Sequence, residues 1–180
     1  MNIKKTLIVF STTDGHTKFI CEKIQQQLKN RDLVELISID QHKNINIKEY
    51  NTIVFGASIR YGKHNLEIHN FIQNNKIILD KIKTAFFSVN VVARKNEKST
   101  SLTNPYLIKF LKKLDWKPNL TAVFAGKIDY PSYKFIDKQM IRLIMYITKG
   151  PTNTSKTYEF TDWQIVKNFS QDLDNLINLN

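Results

Sequence analysis

Cysteine is nearly absent from this sequence: Cys21 is the single one. No intramolecular disulfide can form and no cysteine-based zinc site can be assembled, which fits a reducing, cytoplasmic compartment. Glycine, at 5, and proline, at 4, are scarce among 180 residues, so collagen-like and low-complexity classes are excluded. Long apolar runs are also lacking. The chain opens Met1-Asn2-Ile3-Lys4-Lys5, and the run Leu7–Phe10 falls short of the roughly 7–15 apolar residues of a signal peptide. No stretch approaches the roughly 20 that a transmembrane helix needs. A soluble chain, or one attached only to a membrane surface, is expected. Acidic residues are in deficit, 16 against 27 basic, for a formal charge of +11. Such a balance points to an anionic partner: nucleic acid, a membrane surface or an acidic ligand. Of the basic residues 23 are Lys, and Ile and Asn are abundant too, so AT-rich coding accounts for part of the excess. Nucleic acid is disfavoured because the basic residues interleave with aromatics on no recognised module. His42, His64 and His69 are scattered at no metal-ligand spacing, so no metal is expected.

What is present is core material. Hydrophobic residues make up 42%, with 11 Phe, 7 Tyr and 2 Trp, which suffices for one domain over residues 1–180. Five short apolar runs recur along the chain: Thr6–Phe10, Leu33–Ile39, Thr52–Phe55, Ala85–Val89 and Thr121–Ala125. All but the second are apolar on both alternating faces, the mark of strands buried on both sides of a parallel sheet. Helical spacings of three and four lie between them: Phe19, Ile20, Ile24 and Leu28; Leu66, Ile68, Phe71 and Ile72; Leu107, Ile108, Leu111 and Leu114 after Asn104-Pro105; and Ile165, Val166, Phe169, Leu173 and Leu176 after Thr161-Asp162-Trp163. Strand–helix alternation of this kind specifies an α/β doubly wound sheet. Gly15, Gly56, Gly62 and Gly126 all fall at the carboxyl ends of the expected strands or in the loops there, the edge along which such sheets bind ligands.

The first strand runs into Ser11-Thr12-Thr13-Asp14-Gly15-His16-Thr17 and then a helix. Hydroxyls, free backbone N–H groups and the positive end of a helix dipole together make an anion site. The loop holds no lysine and lacks a Gly-Lys-Ser/Thr ending, so it is not a triphosphate loop. The absence of G-x-G-x-x-G disfavours a dinucleotide. Cys21 reads as a small core residue on the inner stripe of the first helix. His16 is expected to face solvent. No Ser-His-Asp set can be assembled, and no catalytic base is identified.

The loop, ending in Gly-x-Thr, resembles the phosphate loop of flavodoxins, which holds the phosphate of FMN. Where most flavodoxins carry Thr or Ser before the glycine this chain has Asp14, expected to point away from the phosphate and hold the turn. Three further segments narrow the likeness: Gly56-Ala57-Ser58-Ile59-Arg60-Tyr61-Gly62, Ser88-Val89-Asn90-Val91-Val92-Ala93-Arg94-Lys95, and Tyr130-Pro131 ahead of a basic helix. Together these resemble the menaquinone-dependent protoporphyrinogen oxidases of bacterial haem biosynthesis. The resemblance implies a five-stranded sheet of order 2-1-3-4-5, FMN as cofactor, protoporphyrinogen IX as substrate, menaquinone as acceptor and a peripheral place on the cytoplasmic face of the inner membrane. It also implies that Ser58–Gly62 form one wall of the flavin site and Ser88–Arg94 the other. Tyr61 and Ile59 would supply a stacking face, and Asn90 and backbone amides the hydrogen bonds. Arg60, Arg94 and Lys95 are candidates for the two propionates of the substrate, since guanidinium grips carboxylate through two bonds. A flavodoxin-type electron carrier and a flavin-dependent quinone reductase are the alternatives. A homo-oligomer is allowed.

Residues 127–156 break the alternation and are expected to form an insertion with a helix over about Ser132–Lys149. Lys134, Lys138 and Arg142, spaced by four, share one face of it, and Phe135, Ile136, Met140, Leu143, Ile144 and Ile147 fill much of the rest. A basic ridge beside an apolar band fits a helix lying in an anionic membrane interface; packing on the core is the competing expectation.

Overall fold

The computed structural model describes residues 4–179, without the side chains of Arg31 and residues 42–44. The opening Met1-Asn2-Ile3 and the His42 side chain, both read above, lie outside the described residues. The strands are β1 (Thr6–Ser11), β2 (Val34–Ser38), β3 (Thr52–Arg60), β4 (Lys63–His64), β5 (Lys83–Val89), β6 (Leu120–Phe124), β7 (Lys127–Asp129) and β8 (Thr157–Glu159). The helices are α1 (His16–Gln27), α2 (Leu66–Leu79), α3 (Pro105–Leu114), α4 (Phe135–Ile147) and α5 (Trp163–Asn178).

Five strands form a parallel sheet of order β2-β1-β3-β5-β6, which is the expected 2-1-3-4-5 arrangement once the short β4 is counted. The period of two along each strand sorts side chains to two faces. Leu7, Val9, Ile53, Phe55 and Phe86 join Ile68, Ile72, Leu107 and Trp116 under α2 and α3. Ile8, Phe10, Val54, Phe87 and Phe124 meet Ile20, Cys21, Ile24, Val166 and Phe169 under α1 and α5. Strands apolar on both alternations therefore lie between two helical layers. Burial pushes the Cys21 thiol well above its ordinary range, so it stays a protonated packing group.

The helix starts follow from local chemistry. Asn104 accepts from the Leu107 N–H with Pro105 at the first helical position, and Asp162 accepts from the N–H groups of Gln164 and Ile165. No side chain caps α1; its cap is Gly15 in the left-handed region, at φ 79°.

The third strand corrects the sequence reading. Residues 56–60, expected as loop, continue β3 to Arg60, where a tight hairpin returns as β4. Tyr61 and Gly62 form its turn with φ 48° and 77°, and Arg60 faces Lys63 across it. Two positive φ values in a two-residue loop match the right-handed twist of the flanking strands, and glycine takes the second at no steric cost. Gly56 is accordingly not a ligand-edge glycine. It lies between Phe10 and Phe87 in register, and a Cβ there would sit 2.3 Å from Phe87 Cζ.

The insertion contains β7 and α4 and runs past its expected end at residue 156 to take in β8. β7 and β8 pair antiparallel as a separate two-stranded sheet, too short for the sequence pattern to reveal. Met145 is the one buried residue of α4, so packing on the main core is not what holds this helix. Tyr130, Ile128 and Met145 instead form a small satellite cluster. Among the described residues no helix is long and apolar enough to cross a membrane.

Candidate functional site

A cavity of about 530 Å³ opens at the carboxyl edge of the sheet, between the β1–α1 loop, the β3–β4 hairpin, the segment after β5 and the insertion. Its volume is that of a site for one cofactor-sized ligand. A smaller polar hollow of about 270 Å³ adjoins it and shares Thr12, Thr13, Ser58 and Arg60.

The β1–α1 loop forms the polar end. Ser11 is the last residue of β1 and borders the smaller hollow; Thr17 stands in the first turn of α1 and borders the larger one. Both side chains are buried, and neither Ser11 Oγ nor Thr17 Oγ1 has a hydrogen-bond partner. Unpaired buried hydroxyls are costly and uncommon. Beside the uncapped start of α1, they fit a terminal phosphate such as FMN carries. Gly15 supports the same geometry for a reason the sequence does not show: a Cβ there would meet nothing within 4 Å, and the positive φ is the constraint.

Asp14 points across the cavity rim, not at the loop. It pairs with Arg60 at 3.6 Å and accepts from Tyr133 Oη at 3.2 Å. His16 does not face solvent. Its Nε2 stands 2.7 Å from Thr161 Oγ1, which donates to the Ala125 carbonyl. The hydroxyl hydrogen is thus taken, so His16 Nε2 carries the proton and donates. Burial lowers the His16 pKa, Glu159 opposes this and Lys127 adds to it.

The second wall departs from expectation in its details. Val89, Asn90, Val91 and Val92 line the cavity; Ser88, Ala93 and Arg94 do not. The Asn90 side chain, expected to serve the flavin, is consumed internally. It donates to Ser88 Oγ at 3.0 Å, accepts from Ala93 N–H at 3.2 Å and exchanges bonds with Asn104. Ser88 Oγ also contacts His64 Nε2 at 2.9 Å. His64 is wedged against Phe86 and Phe110, and burial lowers its pKa to about 3, so it is neutral. These bonds hold the wall in shape.

The arginines also have other partners than those expected. Arg60 contacts Asp137 at 2.9 Å as well as Asp14, and its guanidinium lies over the rings of Tyr61 and Tyr133. Arg94 donates to the Val91 carbonyl at 3.0 Å, and to the carbonyl and hydroxyl of Thr148 at 2.8 and 2.9 Å. Arg94 is not a lining residue and its guanidinium is committed to Val91 and Thr148, which corrects the role expected of it; Arg60 does line the cavity, with its guanidinium paired to Asp14 and Asp137. Lys95 sits in the turn beyond and is not a lining residue.

Ile59, Tyr61, Tyr106, Met140, Ile141 and Ile144 make the rest of the cavity largely apolar, and Lys127 and Asp129 contribute charge. Tyr106, Lys127 and Tyr133 were not anticipated as lining. Only the Arg-Tyr-Gly-Lys turn, with glycine second between two strand-like flanks, carried a signal that was open to reading. No group of three or more His, Cys, Asp or Glu among the described residues is arranged to hold a metal.

Comparison with known proteins agrees with this architecture. Residues 7–155 match the family described as "Flavodoxin domain". The chain is 40% identical over 170 residues to a protoporphyrinogen IX dehydrogenase [quinone] of Leishmania major, covering 93% of this chain and 74% of that one. It is 39% identical over 173 residues to the protoporphyrinogen IX dehydrogenase [quinone] of Escherichia coli K12, covering 96% of each. Among solved structures, a flavoprotein from Lactobacillus acidophilus in complex with FMN shares the fold at TM-score 0.50 and 21% identity, over 67% of this chain and 93% of that one. Near full-length identity at this level, on a sheet and phosphate-type loop of this kind, leaves one assignment: the chain belongs to the protoporphyrinogen IX dehydrogenase [quinone] family of flavodoxin-domain proteins.

Proposed function

We propose that the protein is an FMN-dependent dehydrogenase that oxidises protoporphyrinogen IX to protoporphyrin IX and passes the electrons to a quinone, menaquinone being our choice. The observation that carries this reading is the two-ended cavity. The orphaned hydroxyl of Thr17 stands at its polar end, with that of Ser11 in the adjoining polar hollow, and an apolar wall of Ile59, Val89, Val91, Met140 and Ile144 stands at the other, on a chain of this family.

Bound FMN would supply two-electron chemistry, accepting hydride and returning electrons to quinone. The chain's own contributions are positioning and exclusion of water. Ser11, Thr17 and the free N–H groups of the α1 start hold the phosphate. The strained hairpin turn at Tyr61-Gly62 presents an aromatic face to the cavity, and the Asn90–Asn104 and Ser88–His64 bonds stiffen the opposite wall. The apolar lining from α4 keeps bulk water from the reacting edge. Six electrons leave the porphyrinogen, so three quinones are reduced per product.

The site is placed at a bilayer in this reading, on the cytoplasmic face. Support comes from α4, where Ile136, Met140, Leu143 and Ile147 form an exposed apolar strip at spacings of four, three and four beside Lys134, Lys138 and Arg142.

Purified protein decides the matter. It should carry one FMN per chain and convert protoporphyrinogen IX to fluorescent porphyrin only when quinone is added. Flavin content with no turnover would leave an electron carrier, and FAD or no flavin would overturn the cofactor assignment.

A further inference from the structure

Helix α4 is joined to the rest of the molecule chiefly at its two ends, and an arginine stands at each. At the C-terminal end Arg94 donates to both the carbonyl and the hydroxyl of Thr148. There Met145 is buried, and Gly150 packs so closely that a Cβ would lie 2.0 Å from Met145 Cε. At the N-terminal end the bonds are polar and partly exposed. Asp137, in the first turn of α4, accepts from Arg60 at 2.9 Å and from Tyr61 Oη. Arg60 is also held by Asp14 of the β1–α1 loop, and Asp14 in turn by Tyr133, just before the helix. The Arg60 and Asp137 side chains remain 26% and 25% exposed. Between these ends Met140, Ile141 and Ile144 roof the cavity.

Size makes the roof consequential. The cavity of about 530 Å³ takes one cofactor-sized ligand. A flavin and a tetrapyrrole macrocycle together need more room than that, so with the flavin in place the second reactant meets the α4 lining at the cavity's open side. The tight, largely apolar C-terminal attachment resists displacement; the solvated ion pair at the other end does not.

Resting on the function proposed above, we propose that Arg60 is a positioning residue that latches α4 over the cavity through Asp137. The helix pivots at its Arg94–Thr148 end to admit the macrocyclic substrate. The Asp14 bond keeps the guanidinium aimed at Asp137 while the latch is open, so closure restores the same geometry.

The test is residue-resolved hydrogen exchange on the FMN-loaded chain and on the flavin-free chain, comparing wild type with Asp137→Asn and Arg60→Gln. Residues 135–141 should exchange about tenfold faster in both variants, while residues 144–148 keep wild-type rates. Wild type in about 0.5 M KCl should reproduce the pattern, because salt screens a partly exposed pair. In Asp137→Asn the KM for the porphyrinogen should fall severalfold with flavin content unchanged, since an unlatched roof no longer has to be opened. Unchanged exchange, or a rise spread evenly along α4, overturns the latch. Faster exchange with an unaltered or raised KM overturns its role in substrate entry. Loss of FMN in Asp137→Asn would assign the contact to the cofactor site instead. A wild-type protein without flavin or turnover would sink the enzymatic reading, while exchange on the flavin-free chain would still decide the latch.

Discussion

Thr17, in the first turn of α1, and Thr13, in the loop before it, lie four positions apart, yet one is buried without a partner and the other exposed. Thr17→Ala should therefore weaken FMN binding by about 1.5–3 kcal/mol, the worth of one hydrogen bond to a charged group, whereas Thr13→Ala should do much less. Gly15→Val should also weaken it, because a β-branched residue resists φ 79°. Flavin titration by fluorescence reads all three, and equal affinities would refute the phosphate assignment. His64 gives a pH prediction. Its folded pKa, about 3, lies below the unfolded value near 6.5, so the neutral form is the stabilising one. That stability is complete above about pH 6.5 and drains away as pH falls toward 3, by about 2 kcal/mol between pH 7 and 5 at 1.36 kcal/mol per unit. Urea unfolding against pH should show the loss, and His64→Gln should flatten it. Gly56 tests packing alone. Phe87 is fully buried against Phe124 and Phe169 and cannot yield to a new methyl group, so Gly56→Ala should cost about 1–3 kcal/mol in denaturant unfolding.

Helix α4 is the element that distinguishes this chain from a plain doubly wound sheet. Its outward strip of Ile136, Leu143 and Ile147 meets water at exposures of 74%, 58% and 69%, which is unusual for a helix of a soluble domain. With Lys134, Lys138 and Arg142 alongside, an anionic lipid surface satisfies both the apolar and the charged groups. Vesicles containing anionic lipid should sediment with the protein, and added salt should release it. The variant Lys134→Glu, Lys138→Glu, Arg142→Glu should detach it, at about 1 kcal/mol per charge. FMN affinity should persist in that variant, because the phosphate loop belongs to another element. Vesicle binding that survives the three reversals would place the membrane contact on another surface.

The whole molecule couples these parts through the sheet, and cofactor binding should be felt as global stability. A ligand that binds only the folded state at about 100 times its dissociation constant adds about 2.7 kcal/mol, or several degrees of melting temperature for a chain of this size. FMN should raise the melting point in calorimetry, and riboflavin, lacking the phosphate, should raise it much less; equal shifts would count against the Ser11 and Thr17 site. The sequence by itself determined the strands, the helices and their alternation, while the strand order came from the family resemblance. Periodicity is a local property, so runs such as Leu7–Phe10 declare burial on both faces, and Asn104-Pro105 and Asp162 declare helix starts, without reference to anything distant. The hydroxyl loop was legible for the same reason, being seven consecutive residues. What the sequence left open is every contact between remote segments. Arg60 and Arg94 stood near the ligand edge, but nothing local placed Asp137 and Thr148 beside them, 77 and 54 positions away along the chain. Asn90 likewise was committed to Asn104 only once the turn after β5 met the start of α3. Long-range pairing of polar groups depends on how the insertion folds back over the sheet. Only the tertiary structure decided that the two arginines hold a helix.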